Sequence, residues 1–323
     1  MSATKPDNSI RIGILCAIIA SAAFTLNDVG VKFLSGDYAL HQIIFVRAVF
    51  AALITLVIII PLEGGFSLLR TNHIRLHLLR GLAVTFANMM FFMGLSVLPL
   101  AEATAIFFVS PLVITVLSVI FLNEKVGRWR WFAVFAGLAG ALVIIRPGTS
   151  AFQIAALFPI LAAISYAILH ILTRKIGKTE KASTLAFYTQ LVFLVVSATI
   201  GLVAGNGQFT TDIHPSIEFL TRAWIWPPAN EFAVMLAIGV SSATGGYMIS
   251  QAYRQCEAAL IAPFEYVALV LAIVWGISIF GEWPDGVACL GIALILASGL
   301  LVLWRENVKK KSVASQRPMP RVR

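Results

Sequence analysis

The sequence predicts an all-α membrane protein: ten transmembrane helices laid out as two inverted five-helix repeats. Three observations carry that expectation. Hydrophobic residues make up 59% of the 323 residues and charged residues only 12%, with a mean hydropathy of +0.90, more than a water-soluble core of this size requires. The chain divides into ten apolar stretches, at 12–34, 41–60, 78–97, 101–122, 130–145, 152–173, 183–204, 232–253, 258–280 and 286–304, each near the roughly 20 residues a helix needs to cross a bilayer core. The segment GALVIIR at 140–146 returns as GLLVLWR at 299–305, the same close of an apolar stretch 159 positions later.

The first stretch follows Lys5 and Arg11 and reaches Ser21-Ala22-Ala23, a sequence that a signal peptidase tolerates. The second unit holds a full counterpart to it at 152–173, which argues against its removal: Ala20 to Phe24 aligns with Ala162 to Tyr166 at an offset of 142. The second stretch carries Arg47 about two turns in, and its Phe45 meets Phe187 of the seventh at the same offset. From the third stretch onward the offset is 158, so that Gly81 meets Gly239 and Glu124 meets Glu282. The 16-residue difference falls in the polar, proline-bearing segment between the seventh and eighth stretches, which is read as an outside insertion. Identity between the halves is thin, three of 23 positions between Glu102–Glu124 and Leu260–Glu282, so the constant offsets and the shared helix order carry the repeat. Five helices per unit make the second unit enter the membrane upside down. The resulting boundaries are 1–147, 148–306 and a basic tail at 307–323.

Charge fixes the expected orientation. With the amino terminus inside, twenty of the 24 lysines and arginines fall on the cytoplasmic side, three outside (Lys32, Arg146, Arg222) and Arg47 within a helix, as the positive-inside rule requires. Both termini are then cytoplasmic. The net charge of +9 follows from topology and anionic headgroups, and no nucleic-acid partner is needed. Cys16, Cys256 and Cys289 are an odd, scattered set that gives neither a disulfide framework nor ligand spacing. No HExxH, Gly-rich phosphate loop or Walker motif occurs, so neither metal, cofactor nor direct use of ATP is expected.

Inverted repeats give two mirror-related conformations of similar energy, the basis of alternating access, so a carrier of a small molecule is expected and an enzyme is not. A membrane enzyme is the rival class; it needs a converging nucleophile and base, which scattered single acids do not supply. FLNE at 121–124 followed by GLAGALVI, with IFGEWPD at 279–285 before a second glycine-bearing helix, resembles the paired domains of EamA-like transporters in the drug/metabolite transporter superfamily, over residues 11 to 306. Asn27-Asp28, the FVRAVF run, HLLRG at 77–81 and APFEY at 262–266 resemble most the branch of bacterial riboflavin importers and S-adenosylmethionine uptake proteins. The resemblance implies an inner-membrane secondary transporter, a monomer or homodimer, that takes up riboflavin or a similar heteroaromatic nutrient; S-adenosylmethionine uptake and export of amino acids or drugs are the alternatives.

Intramembrane charges cost about 2.5–3.5 kcal/mol on insertion scales and mark function. Asp28 beside Asn27 is read as a substrate or proton site; the structural alternative is an i, i+4 pair with Lys32. The offset carries Asp28 to His170 and Lys32 to Arg174, and in the resembled family these positions line the cavity. Glu265 stands just after Pro263, where a broken helix exposes backbone polar groups, with interfacial snorkelling or a pair with Arg254 as the alternative. Asn88 and Phe91 on the third helix, Tyr166 on the sixth, Tyr247 and Gln251 at i, i+4 on the eighth and Tyr266 on the ninth complete the expected lining. Arg47 is expected to be structural, paired with Asp28 or a carbonyl. Glu124 and Glu282 are read as helix-end groups, and Trp129, Trp131, Trp224, Trp226, Trp283 and Trp304 as an interfacial belt.

Overall fold

The computed structural model describes residues 6–122, 127–149, 153–176, 181–210, 214–255 and 264–315, and over these it is helical. The helices are α1 (Pro6–Leu34), α2 (Leu40–Glu63), α3 (Ile74–Leu95), α4 in two pieces (Leu100–Phe107 and Ser110–Leu122), α5 (Arg128–Ile145), α6 (Leu157–Ile176), α7 (Ala182–Ala204), α8 (Ala229–Gln255), α9 (Val267–Phe280) and α10 (Gly286–Ser315). Six of them hold spans long and apolar enough to cross a membrane: Ile10–Leu34, Leu40–Glu63, Ile74–Leu95, Leu100–Phe121, Ala182–Ala204 and Ala229–Ala252. Shorter apolar runs, Trp131–Ile145, Ile154–Leu169, Val267–Phe280 and Gly286–Leu301, occupy α5, α6, α9 and α10. Large apolar side chains such as Val57, Phe121, Phe135 and Leu202 stand exposed on the outside of the bundle. A soluble monomer rarely shows so much apolar surface; facing lipid, it costs nothing.

Two helices are interrupted for identifiable reasons. In α2 the turn Thr55–Ile59 widens to a π-helix just before Pro61, whose missing N–H and bulky ring disturb the preceding turn. In α4 Pro111 acts on the carbonyl four residues back, that of Phe107, and the helix breaks at Phe108-Val109. That break turns two adjacent phenylalanines out in different directions.

The helices pair as α1 with α8 and α9, α2 with α7 and α8, α3 with α6 and α7, α4 with α6 and α9, and α5 with α10. The α5–α10 crossing is a backbone contact. A Cβ built on Gly291 would stand 2.7 Å from the Gly140 carbonyl oxygen and 2.5 Å from Ile144, and one on Gly140 would stand 2.9 Å from the Gly291 oxygen. No larger residue fits either position without moving a helix.

The structure departs from the sequence reading at several places. α1 begins at Pro6, before the apolar stretch, and α10 runs on to Ser315, into the segment read as a tail. The described part of the long connection after α7 packs against α2. It contains a short helix, Pro215–Thr221, capped by His214, which accepts the Ser216 N–H at 3.2 Å. The Gln42 amide brackets Ile225, donating to its carbonyl at 2.6 Å and accepting its N–H at 3.2 Å, and His41 Nδ1 meets the Leu220 carbonyl at 2.9 Å. Trp224 accordingly stacks on His41 and lies against Phe45: it fills a packed seat on α2 rather than serving only as an interfacial anchor.

Candidate functional site

Four of the predicted residues form one hydrogen-bonded cluster across α1, α2 and α3. Arg47 on α2 is 2% exposed. Its guanidinium donates to the Asn27 side-chain oxygen at 3.3 Å and to that of Asn88 at 3.4 and 3.5 Å. The Asn27 amide donates to an Asp28 carboxylate oxygen at 3.2 Å, and the Asn88 amide donates back to the Val84 carbonyl at 3.2 Å. The rings of Phe92 and Phe193 lie 5.5 and 4.9 Å from the guanidinium carbon, close enough for cation–π attraction. Arg47 thus pairs with two side-chain amide oxygens, and Asn27 relays it to Asp28. Asp28 and Asn88 are only half-buried although they sit among helices.

An aromatic ladder leads away from this cluster. Phe91, one turn after Asn88, lies 5.3 Å ring to ring from Phe107, and Phe107 lies 5.2 Å from Tyr166 on α6. The other phenylalanine at the α4 break, Phe108, stacks on Tyr266 at 5.0 Å. Tyr266 is wedged against α10 so closely that a Cβ on Gly299 would overlap its hydroxyl. Glu265 lies within electrostatic reach of both Tyr166 and Tyr266. The segment before α9 is held to α1 by the Ser21 hydroxyl, which donates to the Phe264 carbonyl at 3.3 Å.

Tyr247 and Gln251 belong to a different cluster, at the end of α8. The Gln251 amide donates to the Tyr247 hydroxyl at 2.9 Å and to Glu63 Oε1 at 2.5 Å. Glu63 also accepts the Ser183 N–H, and its carbonyl accepts the Lys181 ammonium at 2.7 Å. The side chains of His170 and Arg254, together with Glu124 and Pro263, lie outside the described residues. The structural alternative for Asp28, an i, i+4 pair with Lys32, is not what forms: Lys32 pairs with Glu282, 2.5 Å away. Among the described residues no group of three or more His, Cys, Asp or Glu side chains could hold a metal ion.

This arrangement of a rigid cation, amide relays, half-buried carboxylates and a row of rings suits a polar, planar molecule inside a membrane protein. The model of the EamA-like transporter family matches residues 11–146. Along almost its whole length the chain is similar to an S-adenosylmethionine uptake transporter of Rickettsia prowazekii, 28% identical over 94% of this chain and 95% of the relative. It is also 27% identical to a riboflavin transporter of Rhizobium johnstonii, over 97% of each, and 25% identical to a pseudopaline exporter of Pseudomonas aeruginosa, over 91% of this chain and 94% of the relative. A solved crystal structure, 18% identical, superposes with a TM-score of 0.63 over 92% of this chain and 96% of that one, which shows the fold.

The site also contains residues that sequence reasoning passed over. Phe107 and Phe108 looked like ordinary lipid-facing filler; the signal was Pro111 four and three positions later, which a breaker rule reads as a helix interruption. Phe193 and Thr189 on α7 were not singled out either. Arg80 donates to the Leu185 carbonyl and the Thr189 hydroxyl at 3.2 and 3.4 Å, so it ties α3 to α7 as well as adding to the positive side.

Proposed function

We propose that the protein is an alternating-access carrier of the bacterial inner membrane, both termini cytoplasmic, whose ten helices form two inverted units, 1–147 and 148–306. The helix pairing supports this reading. Adding five to each helix of the first unit, and subtracting five in the second, exchanges α1/α8 with α6/α3, α2/α8 with α7/α3 and α1/α9 with α6/α4, while α2/α7, α4/α9 and α5/α10 map onto themselves. That is the pattern of a two-fold axis in the membrane plane. The offset of 158 carries Phe107-Phe108 onto Glu265-Tyr266, so the stacked Phe108 and Tyr266 are a pair of mates near that axis.

The substrate is a small heteroaromatic metabolite, taken up. The observation that carries this is the joint between the Asn27–Asp28–Arg47–Asn88 cluster and the Phe91–Phe107–Tyr166 ladder: hydrogen-bonding groups at one end, ring faces along the side. Asp28 and Glu265 are half-buried carboxylates, which suit a cation. S-adenosylmethionine carries a sulfonium and an ammonium beside its adenine, whereas riboflavin is neutral, so the carboxylates favour S-adenosylmethionine over riboflavin, the reverse of the order expected from sequence. His170, Tyr247 and Gln251 are proposed to serve the path on the cytoplasmic side.

Labelled uptake tests the reading. Cells that lack their own importer and express the protein should accumulate labelled S-adenosylmethionine several-fold above empty-vector cells, and unlabelled substrate should compete. No accumulation of either S-adenosylmethionine or riboflavin, with the protein shown to be in the membrane, would reject the substrate class.

A further inference from the structure

Lys32 lies one helical turn beyond Asp28 on the same face of α1, and it is nearly buried, at 10% side-chain exposure. Its ammonium meets Glu282 Oε1 at 2.5 Å and donates to the Leu98 carbonyl at 2.6 Å. The other Glu282 oxygen accepts the N–H of Leu100, the first residue of α4, at 2.8 Å, and the Phe280 ring lies 5.3 Å from the ammonium. The Glu282 N–H in turn donates to the Gly276 carbonyl at 2.9 Å, and Gly281 in the left-handed region, φ 66°, makes the turn that brings Glu282 back. One ion pair therefore joins the end of α1, the α3–α4 turn and the α9–α10 connection. Beside it Arg146 pairs with Asp285, and Glu102 stands within electrostatic reach of Lys32.

Lys32 belongs to the first half of the chain and Glu282 to the second, so parting the halves at this end must break the pair. At 10% and 23% side-chain exposure it is shielded enough that losing one partner strands a charge, unlike a surface pair. The sequence offsets carry Lys32 onto Arg174 and Glu282 onto Glu124: the same two charges are written once for each end of the molecule. We propose that Lys32–Glu282 is the outer latch of the carrier. Closed, it seals the path one turn beyond Asp28; open, it admits substrate from outside.

The test needs no substrate, so its failure is separate from failure of the uptake assay. Cys16, Cys256 and Cys289 are replaced by alanine, and Thr104→Cys is the reporter. Thr104 is on α4 one turn inward of Leu100, 5% exposed, its hydroxyl without a partner among the described residues. Cells are treated with a membrane-impermeant thiol reagent from outside, and thermal midpoints are taken on the same variants. Labelling should be slow with the latch intact, at least tenfold faster in Lys32→Met and in Glu282→Gln, and slow again in Lys32→Arg, with each variant still melting cooperatively. Unchanged labelling in both neutral variants overturns the proposal, as does fast labelling in Lys32→Arg or fast labelling seen only where the cooperative melt is lost.

Discussion

Asp28→Asn and Arg47→Met should separate function from folding within a single cluster. The Asp28 carboxylate has one hydrogen bond in the cluster, from Asn27 at 3.2 Å, and no ion pair within 4 Å is seen for it among the described residues. Asparagine keeps an oxygen that can accept the same bond and removes a charge that is costly to bury, so the loss should stay within about 1 kcal/mol. Arg47 is different. Its bonds to Asn27 and Asn88 are long, 3.3 to 3.5 Å, worth about 1 kcal/mol each rather than the upper range for charged donors. The two ring contacts add about 0.5–1 kcal/mol apiece, and removing the guanidinium leaves two amide oxygens and the Asp28 charge without it. About 3 kcal/mol is the expected sum. At about 2–4 °C per kcal/mol, Asp28→Asn should move the melting midpoint in detergent by no more than about 4 °C, and Arg47→Met should lower it by about 6–12 °C. Initial uptake rates, normalised to protein in the membrane, should nonetheless fall at least tenfold in Asp28→Asn. A variant Asp28→Asn that melts as early as Arg47→Met, or that transports like the parent, would refute the division of roles.

Other perturbations have signs fixed by the structure. Gly291→Ala places a methyl 2.7 Å from the Gly140 oxygen and 2.5 Å from Ile144, an overpacking worth about 1–3 kcal/mol, so the midpoint should drop; Gly246→Ala on α8 meets nothing within 4 Å and should hold or raise it, by the roughly 1 kcal/mol helix preference of alanine over glycine. The Arg146 side chain, and then the Ala288 N–H, hold the Asp285 carboxyl below its ordinary value of 3.8. A depressed carboxyl stabilises the fold above that ordinary value and loses the contribution as pH falls through the lower, folded-state value, so midpoints of the parent and Asp285→Asn should differ at neutral pH and converge as pH falls through that lower value. Reporter fusions after residues 70, 128, 178 and 310 should all report cytoplasm, and periplasmic signals at any two of them would overturn the orientation.

The sequence made the helices legible because the bilayer imposes one rule on all of them, an apolar run of fixed length, and only their ends moved. The cluster partners Asn27, Asp28, Arg47 and Asn88 were legible for a related reason: each is a polar group where hydrocarbon is expected, so each stands out against its neighbours. What stayed hidden depends on three-dimensional juxtaposition. Lys32 had an acid four residues back, and local spacing offered Asp28 only as an alternative partner; the contact that forms is with Glu282, 250 positions away, after the turn at Gly281. Phe107 and Phe108 are two among 22 phenylalanines, and nothing in composition tells a ring in a ladder from one in lipid. Trp224 was read as a belt residue from its place at a segment end; its packing on His41 and Phe45 and the Gln42 bracket on Ile225 are tertiary contacts that no periodicity encodes.

Counterflow in proteoliposomes tests the central claim, a carrier with one central site reached alternately from each side. Vesicles holding purified protein are loaded with unlabelled S-adenosylmethionine and diluted into a trace of the labelled compound. The account predicts a transient accumulation of label above its equilibrium level, absent from empty vesicles and reduced at least tenfold in Asp28→Asn. Label that only rises to equilibrium, at a rate indifferent to the internal substrate, would show a pore or no transport at all and would contradict it.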